Sequence, residues 1–396
     1  MTYRELLKNY RSGTLDASQT AQVAAEIEKH DAISEYLCEN DEIPMQDTFN
    51  AEGMSVEEMQ QESSDFSAMI RASIRKAFIK AGIIAVSLSV CIVLAIVFGL
   101  PKLVDRFYYD PTQGIGKNSF DADRLQLDLT VYSELFLPYR NCLEASAEGN
   151  GYGAYDITVY QNSSYTGTFP CASGTIKRNR MKMYDPNFFC SLPTNGFAPW
   201  EIGVDSMIKG TDGASGTSEE AYEKLGKLGE DAYYFAQFTL DQVYSYDAFT
   251  ELCSDEKIFP EWSAMCYWDE ESGQYTTGTD PIGFRCFTSS IGVQFDEKKY
   301  PFLTPFSLSD EASENQLASA EHMKQHVLSM LRYTQDEPIF YEMMHSCKPD
   351  SLQQWETAVE KNGLNVYAFT VTAQKEELER IAALDEVIYV HTLPIS

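Results

Sequence analysis

The sequence predicts an α+β protein with a small helical cytoplasmic domain, one transmembrane helix and a large mixed α+β extracellular domain that ends in a strand–helix–strand unit. Three observations support this prediction. A charge-free apolar run occupies residues 81–100, apolar residues recur at helical spacing before it, and short alternating apolar segments follow it. With 396 residues, 44% of them hydrophobic and 23% charged, the composition is that of a globular protein.

The chain is strongly acidic. It has 30 Lys and Arg residues against 60 Asp and Glu residues, for a formal net charge of −30. This balance argues against direct nucleic-acid binding, because phosphate contacts need clustered cations. Nine cysteines are too few for a disulfide framework in a chain of this length, and the spacing of the seven that follow the apolar run assigns no pairing.

The N-terminal segment predicts two short helices. Residues 3–11 place Leu6, Leu7 and Tyr10 on one side of a helix, and Ser12-Gly13 ends it. Asp16 can cap a second helix. Residues spaced four and three positions apart form one stripe on that helix, and we expect this stripe to be buried against a neighbouring helix of the same domain or against a partner. The stripe consists of Val23, Ile27, His30, Ser34 and Leu37.

A third helix leads into the apolar run. Ser55 and Glu58 form a capping box, and apolar residues then recur at three-, four- and seven-residue steps. Two interpretations stay open. In the first, the helix lies along the lipid. In the second, it faces a cytoplasmic partner protein, and its acidic first half would suit a basic partner. The recurring residues are Val56, Met59, Phe66, Ile70, Ile74 and Phe78.

Residues 81–100 predict a single transmembrane helix. Sixteen of these 20 residues are apolar, none is charged, and 20 residues of helix span roughly 30 Å. We expect Pro101 to close the helix and Lys102 to reach the interface.

Flanking charges predict the direction of the span. Four cations precede it (Arg71, Arg75, Lys76 and Lys80), whereas Lys102 and Arg106 follow it. The positive-inside rule therefore places the N-terminus in the cytoplasm. The predicted regions are a cytoplasmic domain, a basic collar, the span and two extracellular parts. Their ranges are 1–70, 71–80, 81–100, 101–230 and 231–396, and the charge is −11 in the first, +4 in the collar and −23 after the span.

The extracellular region predicts alternating strands and helices. The last residues of this region predict a strand, a helix capped by Thr372 and a second strand. This order of elements favours a crossover between two parallel strands. Within 151–160, Tyr155, Ile157 and Val159 would share one face of a strand. The predicted strands are 128–136, 151–160, 233–240, 366–371 and 387–391, and the predicted helices are 215–229, 315–332, 351–362 and 373–384.

No catalytic or cofactor motif is found. There is no G-x-S-x-G nucleophile elbow, and Gly151-x-Gly153 lacks the strand and helix of a phosphate loop. A His-x3-Cys-x2-Cys zinc site counted from His30 would need thiolates where Ser34 and Leu37 stand. His322 and His326 have ligand spacing but no accompanying Glu, so we expect two exposed helical histidines. The sequence therefore predicts a non-enzymatic protein without a metal or other cofactor.

Several segments resemble one family. Residues 6–37 (LLKNYRSGTLDASQTAQVAAEIEKHDAISEYL) are similar to the N-termini of membrane-bound anti-sigma factors of Gram-positive bacteria. RKAFIK, PKLVDRFYYDP, VYSELFLP and GYGAYDI resemble the sigma factor regulator N-terminal domain. The end, NGLNVYAFTVTAQKEELERIAALDEVIYVHTLPI, resembles the sigma factor regulator C-terminal domain.

The resemblance implies that the cytoplasmic domain sequesters an extracytoplasmic-function sigma factor and that the outer domain senses the envelope or docks a membrane partner protein. The missing thiolates depart from the zinc-binding members of the family. A membrane-anchored extracellular binding protein for a cell-wall or cationic ligand is the alternative function. The apolar candidates for sigma contact, which could equally form the internal core of the domain, are Tyr10, Val23, Ile27, Leu37, Phe66 and Ile70.

Overall fold

The computed structural model separates the chain into two units, Met1–Leu88 and Ser89–Ser396, and each is described by itself. The structure describes residues 3–40, 56–115, 122–163, 169–189, 196–206, 218–278, 282–286, 292–304, 318–345 and 349–394.

The first unit is helical, as predicted. Helix α1 (Tyr3–Arg11) ends before Gly13, which has a φ of 68°, and α2 covers Ala17–Asn40. The Asp16 carboxylate accepts a hydrogen bond of 2.8 Å from the Gln19 N–H, which confirms the predicted cap. The two helices pack against each other. Ser55 of the predicted capping box lies outside the described residues.

One long helix leads through the basic collar into the apolar run, as predicted, but Pro101 does not close it. Helix α3 (Val56–Leu94) continues through a π-helical turn at Ala95–Gly99 into α4 (Leu100–Asp105). In the π turn the Leu100 N–H bonds to the Ala95 carbonyl, five residues back. Pro101 then stands in the first turn of α4, where its missing N–H and its ring disturb the helix least.

The segment Ala68–Asp105 is long and apolar enough to cross a membrane. No other such helix is found among the described residues, and none of its most apolar stretch is buried by protein. A core helix of a water-soluble domain would be covered, so the exposure of this stretch favours lipid as its surroundings.

The predicted strand at 128–136 is wrong. After a two-stranded ribbon, β1 (Gly114–Ile115) with β2 (Ala122–Asp123), the chain forms helix α5 over Arg124–Phe136. Leu127, Leu129 and Val131 alternate as in a strand, yet each is buried. A helix that is enclosed on nearly every side can place apolar residues at any spacing, and its sequence then imitates a strand.

The first sheet has four antiparallel strands in chain order, β3 to β6. Tyr155, Ile157 and Val159 on β4 are all buried, which confirms the inward face predicted from their alternation. Helix α5 packs on β3. The strands are Arg140–Gly151, Ala154–Ser163, Cys171–Lys177 and Met181–Met183.

The rest of the chain builds a second sheet with helices. The predicted helices and strands of this region are present there with shifted bounds, and 215–217 and 315–317 of the predicted helices lie outside the described residues. Gly363, with a φ of 73°, ends α10 as expected. The helices are α6 (Ser218–Gly226), α7 (Tyr246–Asp255), α8 (Ala320–Asp336), α9 (Pro338–His345), α10 (Leu352–Asn362) and α11 (Lys375–Ala382). The strands are β7 (Tyr233–Ser245), β8 (Trp262–Asp269), β9 (Gln274–Thr276), β10 (Ile282–Arg285), β11 (Asn365–Gln374) and β12 (Val387–Pro394).

The strand order is β10-β8-β11-β7-β12 with antiparallel neighbours, and β9 pairs antiparallel with the last residues of β8. The final β11-α11-β12 unit is a crossover between parallel strands, as predicted, but β7 lies between them. In the same way β7 and β8 are parallel with β11 between them, so two split βαβ units interleave in a ferredoxin-like arrangement. Thr372 does not cap α11, because it lies within β11 and the helix begins after Gln374.

Candidate functional site

Helix α5 carries an unusual number of buried polar side chains. Gln126, Asp128, Ser133 and Glu134 are each at most 8% exposed. Buried polar and charged groups cost free energy unless each finds a partner. Two of them, Asp128 and Glu134, organise separate hydrogen-bond networks, and these networks form the candidate functional site.

Asp128 is held by two tyrosines from distant parts of the chain. The Tyr109 hydroxyl donates to Oδ2 at 2.5 Å, and the Tyr333 hydroxyl donates to Oδ1 at 2.6 Å. Arg124 lies one turn earlier on α5, with its Nε 3.8 Å from Oδ2, and it also pairs with Glu337. The Arg124 guanidinium stacks over the Tyr109 ring at 4.7 Å.

Burial controls the charge of this first network. It raises the pKa of Asp128 from 3.8 to about 7, although the two tyrosine hydrogen bonds and Arg124 act in the opposite direction. Burial beside this carboxylate also raises the pKa of Tyr109 and of Tyr333. Asp128 therefore titrates near neutral pH, while both tyrosines stay protonated and remain donors.

Glu134 lies about two turns later on α5, and its carboxylate contacts α8. Its Oε1 is 2.7 Å from His326 Nε2, and His326 Nδ1 hydrogen-bonds to the Phe302 carbonyl. The prediction of two exposed histidines is thus wrong, because His322 is half-buried and His326 is fully buried. Its partner is 192 residues away in sequence, so the spacing of the histidines on one helix could not reveal it.

The geometry favours a doubly protonated His326. Nδ1 faces a carbonyl oxygen and Nε2 faces a carboxylate oxygen, and both are acceptors, so each ring nitrogen needs a proton. Burial lowers the pKa of His326, but the charge of Glu134 and the two hydrogen bonds outweigh it, and the net shift is upward.

Cationic and polar groups from the second sheet meet the end of α5. The Arg285 side chain donates to the carbonyls of Leu137 and Arg140, and its backbone N–H donates to Glu134 Oε1 at 3.3 Å. The Trp262 indole donates to the Glu134 carbonyl at 2.7 Å. Burial lowers the pKa of Arg285, although nearby Glu134 raises it. A cation at a helix C-terminus interacts favourably with the helix dipole.

Together the two networks connect three parts of the second unit. Tyr109 stands four residues after α4, Asp128 and Glu134 lie on α5, and Tyr333 and His326 lie on α8. A displacement of α5 would therefore disturb contacts next to the apolar helix and contacts inside the second sheet together. The sequence did contain a signal, because two acidic residues interrupt the otherwise apolar text around LDLTVYSEL.

The predicted sigma-contact residues fall into different surroundings. Val23 is buried at 5% exposure, Tyr10 and Ile27 are half-buried, and Ile70 is 41% exposed. The side chains of Leu37 and Phe66 lie outside the described residues. Val23, Tyr10 and Ile27 belong to the packed pair α1 and α2, whereas Ile70 is on α3. The prediction did not include Ile33, which α2 exposes by 57%.

Arg71, Arg75, Lys76 and Lys80 are all exposed on α3. Within the described residues, no group of three or more His, Cys, Asp or Glu side chains is arranged to hold a metal ion. The described cysteines are unpaired, namely Cys91, Cys142, Cys171, Cys253, Cys266 and Cys286.

Comparison with known families gives one match. Residues 225–391 match the family described as sigma factor regulator C-terminal, and this range contains α8 and the second sheet except for the end of β12. No curated protein and no solved structure matches the chain. The match covers a little over two fifths of the chain, and together with the apolar helix it supports a membrane regulator of the anti-sigma kind.

Proposed function

We propose that the protein is a single-pass membrane anti-sigma factor. Its cytoplasmic helices sequester an extracytoplasmic-function sigma factor, and its outer domain changes that affinity in response to an envelope signal. The observation that carries the proposal is the match of residues 225–391 to the sigma factor regulator C-terminal family, in a chain with one apolar helix between that region and a helical N-terminal segment.

Topology follows from the collar. Arg71, Arg75, Lys76 and Lys80 precede the apolar run, and the larger acidic part of the chain follows it. We propose that the N-terminus is cytoplasmic and the C-terminus extracellular. This direction puts α1 and α2 in the compartment where sigma factors reside. An envelope signal would come from the side of the second unit, through the envelope itself or a membrane partner protein.

The exposed apolar residues are the sharper candidates for sigma contact. Ile33 on α2 and Ile70 on α3 are 57% and 41% exposed, so a partner could cover them without unfolding the domain. Val23 is buried, and an Asp there would disrupt the pair of helices instead. Ile27, half-buried, can serve both roles.

The test is copurification of the full chain from detergent-solubilised membranes of its native host. We expect one sigma factor at a stoichiometric level. Ile33→Asp and Ile70→Asp should each lower its recovery at least tenfold. Ala21→Asp is a matched control, because it adds the same charge at an exposed position on α2 about three turns from Ile33. A preparation of intact protein without any sigma factor would overturn the proposal and favour the extracellular binding protein.

A further inference from the structure

The β3–β4 hairpin ends in an unusual turn. Gly151 pairs with Ala154, which leaves Tyr152 and Gly153 as a two-residue loop with φ values of 58° and 69°. A loop with two positive φ values normally holds Asn-Gly, and a bulky aromatic residue in this conformation is disfavoured. Tyr152 adopts this disfavoured backbone, which points to a role for its side chain at this position.

Tyr152 reaches the apolar helix. Its hydroxyl donates a 3.1 Å hydrogen bond to the Ile96 carbonyl, within the π turn and four residues before the end of the apolar run. The Gly153 N–H donates to the Asp105 carboxylate at 2.5 Å, and the Tyr108 ring packs on the Gly153 backbone. The hairpin tip therefore lies beside the end of the span, about 6 Å along the helix from its last apolar residue.

A second turn lies next to this tip. The Arg178 N–H donates to the Gly153 carbonyl at 2.7 Å, and the Asn179 side chain accepts a 2.7 Å hydrogen bond from the Tyr109 N–H. These bonds place the β5–β6 turn beside the hairpin tip and the segment that follows α4. The turn is strongly basic, with Lys177, Arg178, Arg180 and Lys182 all exposed.

We define the membrane-proximal basic surface as these four residues with Lys102 and Arg106 from the end of the span. All six are exposed, and none forms an ion pair with another residue of the described segments. They make up six of the 22 cations in 101–396, a region of net charge −23. Of the nearby acids, Asp105 is occupied by Gly153 and Asp110 by Thr112.

Apolar side chains complete the same surface. Phe107 and Leu103 are 75% and 53% exposed at the end of the span, where an aromatic ring suits the headgroup region. A groove beside the turn is lined by residues of the turn and of α9, including one acid, namely Asn179, Arg180, Met181, Ile339, Glu342 and Met343. Cations above apolar surface are the arrangement that binds a phosphate headgroup together with the first part of its acyl chains.

We propose that the membrane-proximal basic surface binds anionic phospholipid headgroups in the leaflet on the C-terminal side of the span. The tip sits at the depth of the headgroups because Tyr152 is bonded to the span, and the charge of the surface is opposite to that of the lipid. The inference holds for either direction of the span, and so it stands apart from the proposed function.

The test is hydrogen–deuterium exchange of the full chain in lipid nanodiscs. One set contains phosphatidylcholine alone, and the other contains equal parts of phosphatidylcholine and phosphatidylglycerol. We expect amides 150–154 and 177–182 to exchange at least about fivefold more slowly with phosphatidylglycerol, and 0.5 M salt to remove most of this protection.

A triple variant, K177E/R180E/K182E, should remove the lipid-dependent protection. The matched control K224E/K257E/K298E changes the same charge at three exposed lysines elsewhere in the second unit and should retain it. Exchange in the core strand β7, measured in the same sample, reports whether each variant is folded. Equal exchange in the two lipids, or protection that the first variant keeps while folded, would overturn the proposal.

Discussion

Replacing Asp128 with Asn should remove a pH dependence from the stability of the second unit. The carboxyl is 2% exposed, and burial raises its pKa from 3.8 to about 7. Between these two values the folded state binds more protons than the unfolded state, so the free energy of unfolding falls as pH rises. The amide that replaces the carboxyl does not titrate, so the variant lacks this contribution.

The magnitude follows from the shift. A rise of about 3 pKa units at 1.36 kcal/mol per unit gives roughly 4 kcal/mol over the whole range, of which about 2.5 kcal/mol falls between pH 5 and pH 8. We expect the difference in unfolding free energy between the native chain and Asp128→Asn to shift by this amount, in favour of the variant at the higher pH.

Urea unfolding followed by tryptophan emission measures the difference, because Trp200, Trp262, Trp268 and Trp355 all lie in the second unit. The native chain and the variant are compared in the same detergent at four pH values. Asp255→Asn, at an exposed position on α7, controls for loss of a surface charge. A difference that stays constant from pH 5 to pH 8 would refute the assignment of a near-neutral pKa to Asp128.

Two further substitutions test the second network and the hairpin. His326→Gln should lower the free energy of unfolding by about 3 kcal/mol, because Glu134 keeps a buried charge without its cationic partner, whereas His322→Gln on the same helix should change it by less than about 1 kcal/mol. The pKa of His326 is raised on folding, so its contribution is present below the unfolded pKa and disappears as pH rises through the folded value; urea unfolding across pH checks this sign. Gly153→Ala should lower the free energy of unfolding by about 1–2 kcal/mol, because φ is 69° and the new Cβ would meet Tyr108 Cδ2 at 2.7 Å. Gly149→Ala is the control, since its new Cβ would make ordinary contacts at 3.6 Å, and it should change the free energy of unfolding by no more than about 0.5 kcal/mol. Thermal unfolding measures both changes.

Local patterns predicted the elements that have one buried face. The helix at 351–362 buries Leu352, Trp355 and Val359 and ends at Gly363, and each feature can be read from three- and four-residue spacing and from a glycine stop. The strand around Ile157 followed from alternation in the same way. In these elements the period of the sequence equals the period of the structure, because only one side meets the core.

The candidate site could not be predicted in this way, because α5 is buried on nearly every side and loses the one-sided period. Its polar residues find partners 192 and 205 positions away, His326 for Glu134 and Tyr333 for Asp128. Such pairings depend on the tertiary arrangement. The continuation of the helix through Pro101 could not be predicted for a related reason. The π turn that precedes Pro101 has no characteristic spacing of residues in the sequence.

The position of Asp128 links protonation to the segment that follows the apolar helix. The Tyr109 hydrogen bond lowers the pKa of Asp128, so loss of that bond favours the protonated carboxyl. The linkage is reciprocal: protonating Asp128 weakens its hold on Tyr109. Tyr109 is four residues beyond α4, and its backbone N–H is bonded to Asn179 in the basic turn. A displacement of this turn would therefore disturb the contact between Tyr109 and Asp128, and α5 also carries Glu134 with its contacts to α8. Buried ion pairs contribute little net stability, so stabilisation alone does not explain why two of them lie on this one helix.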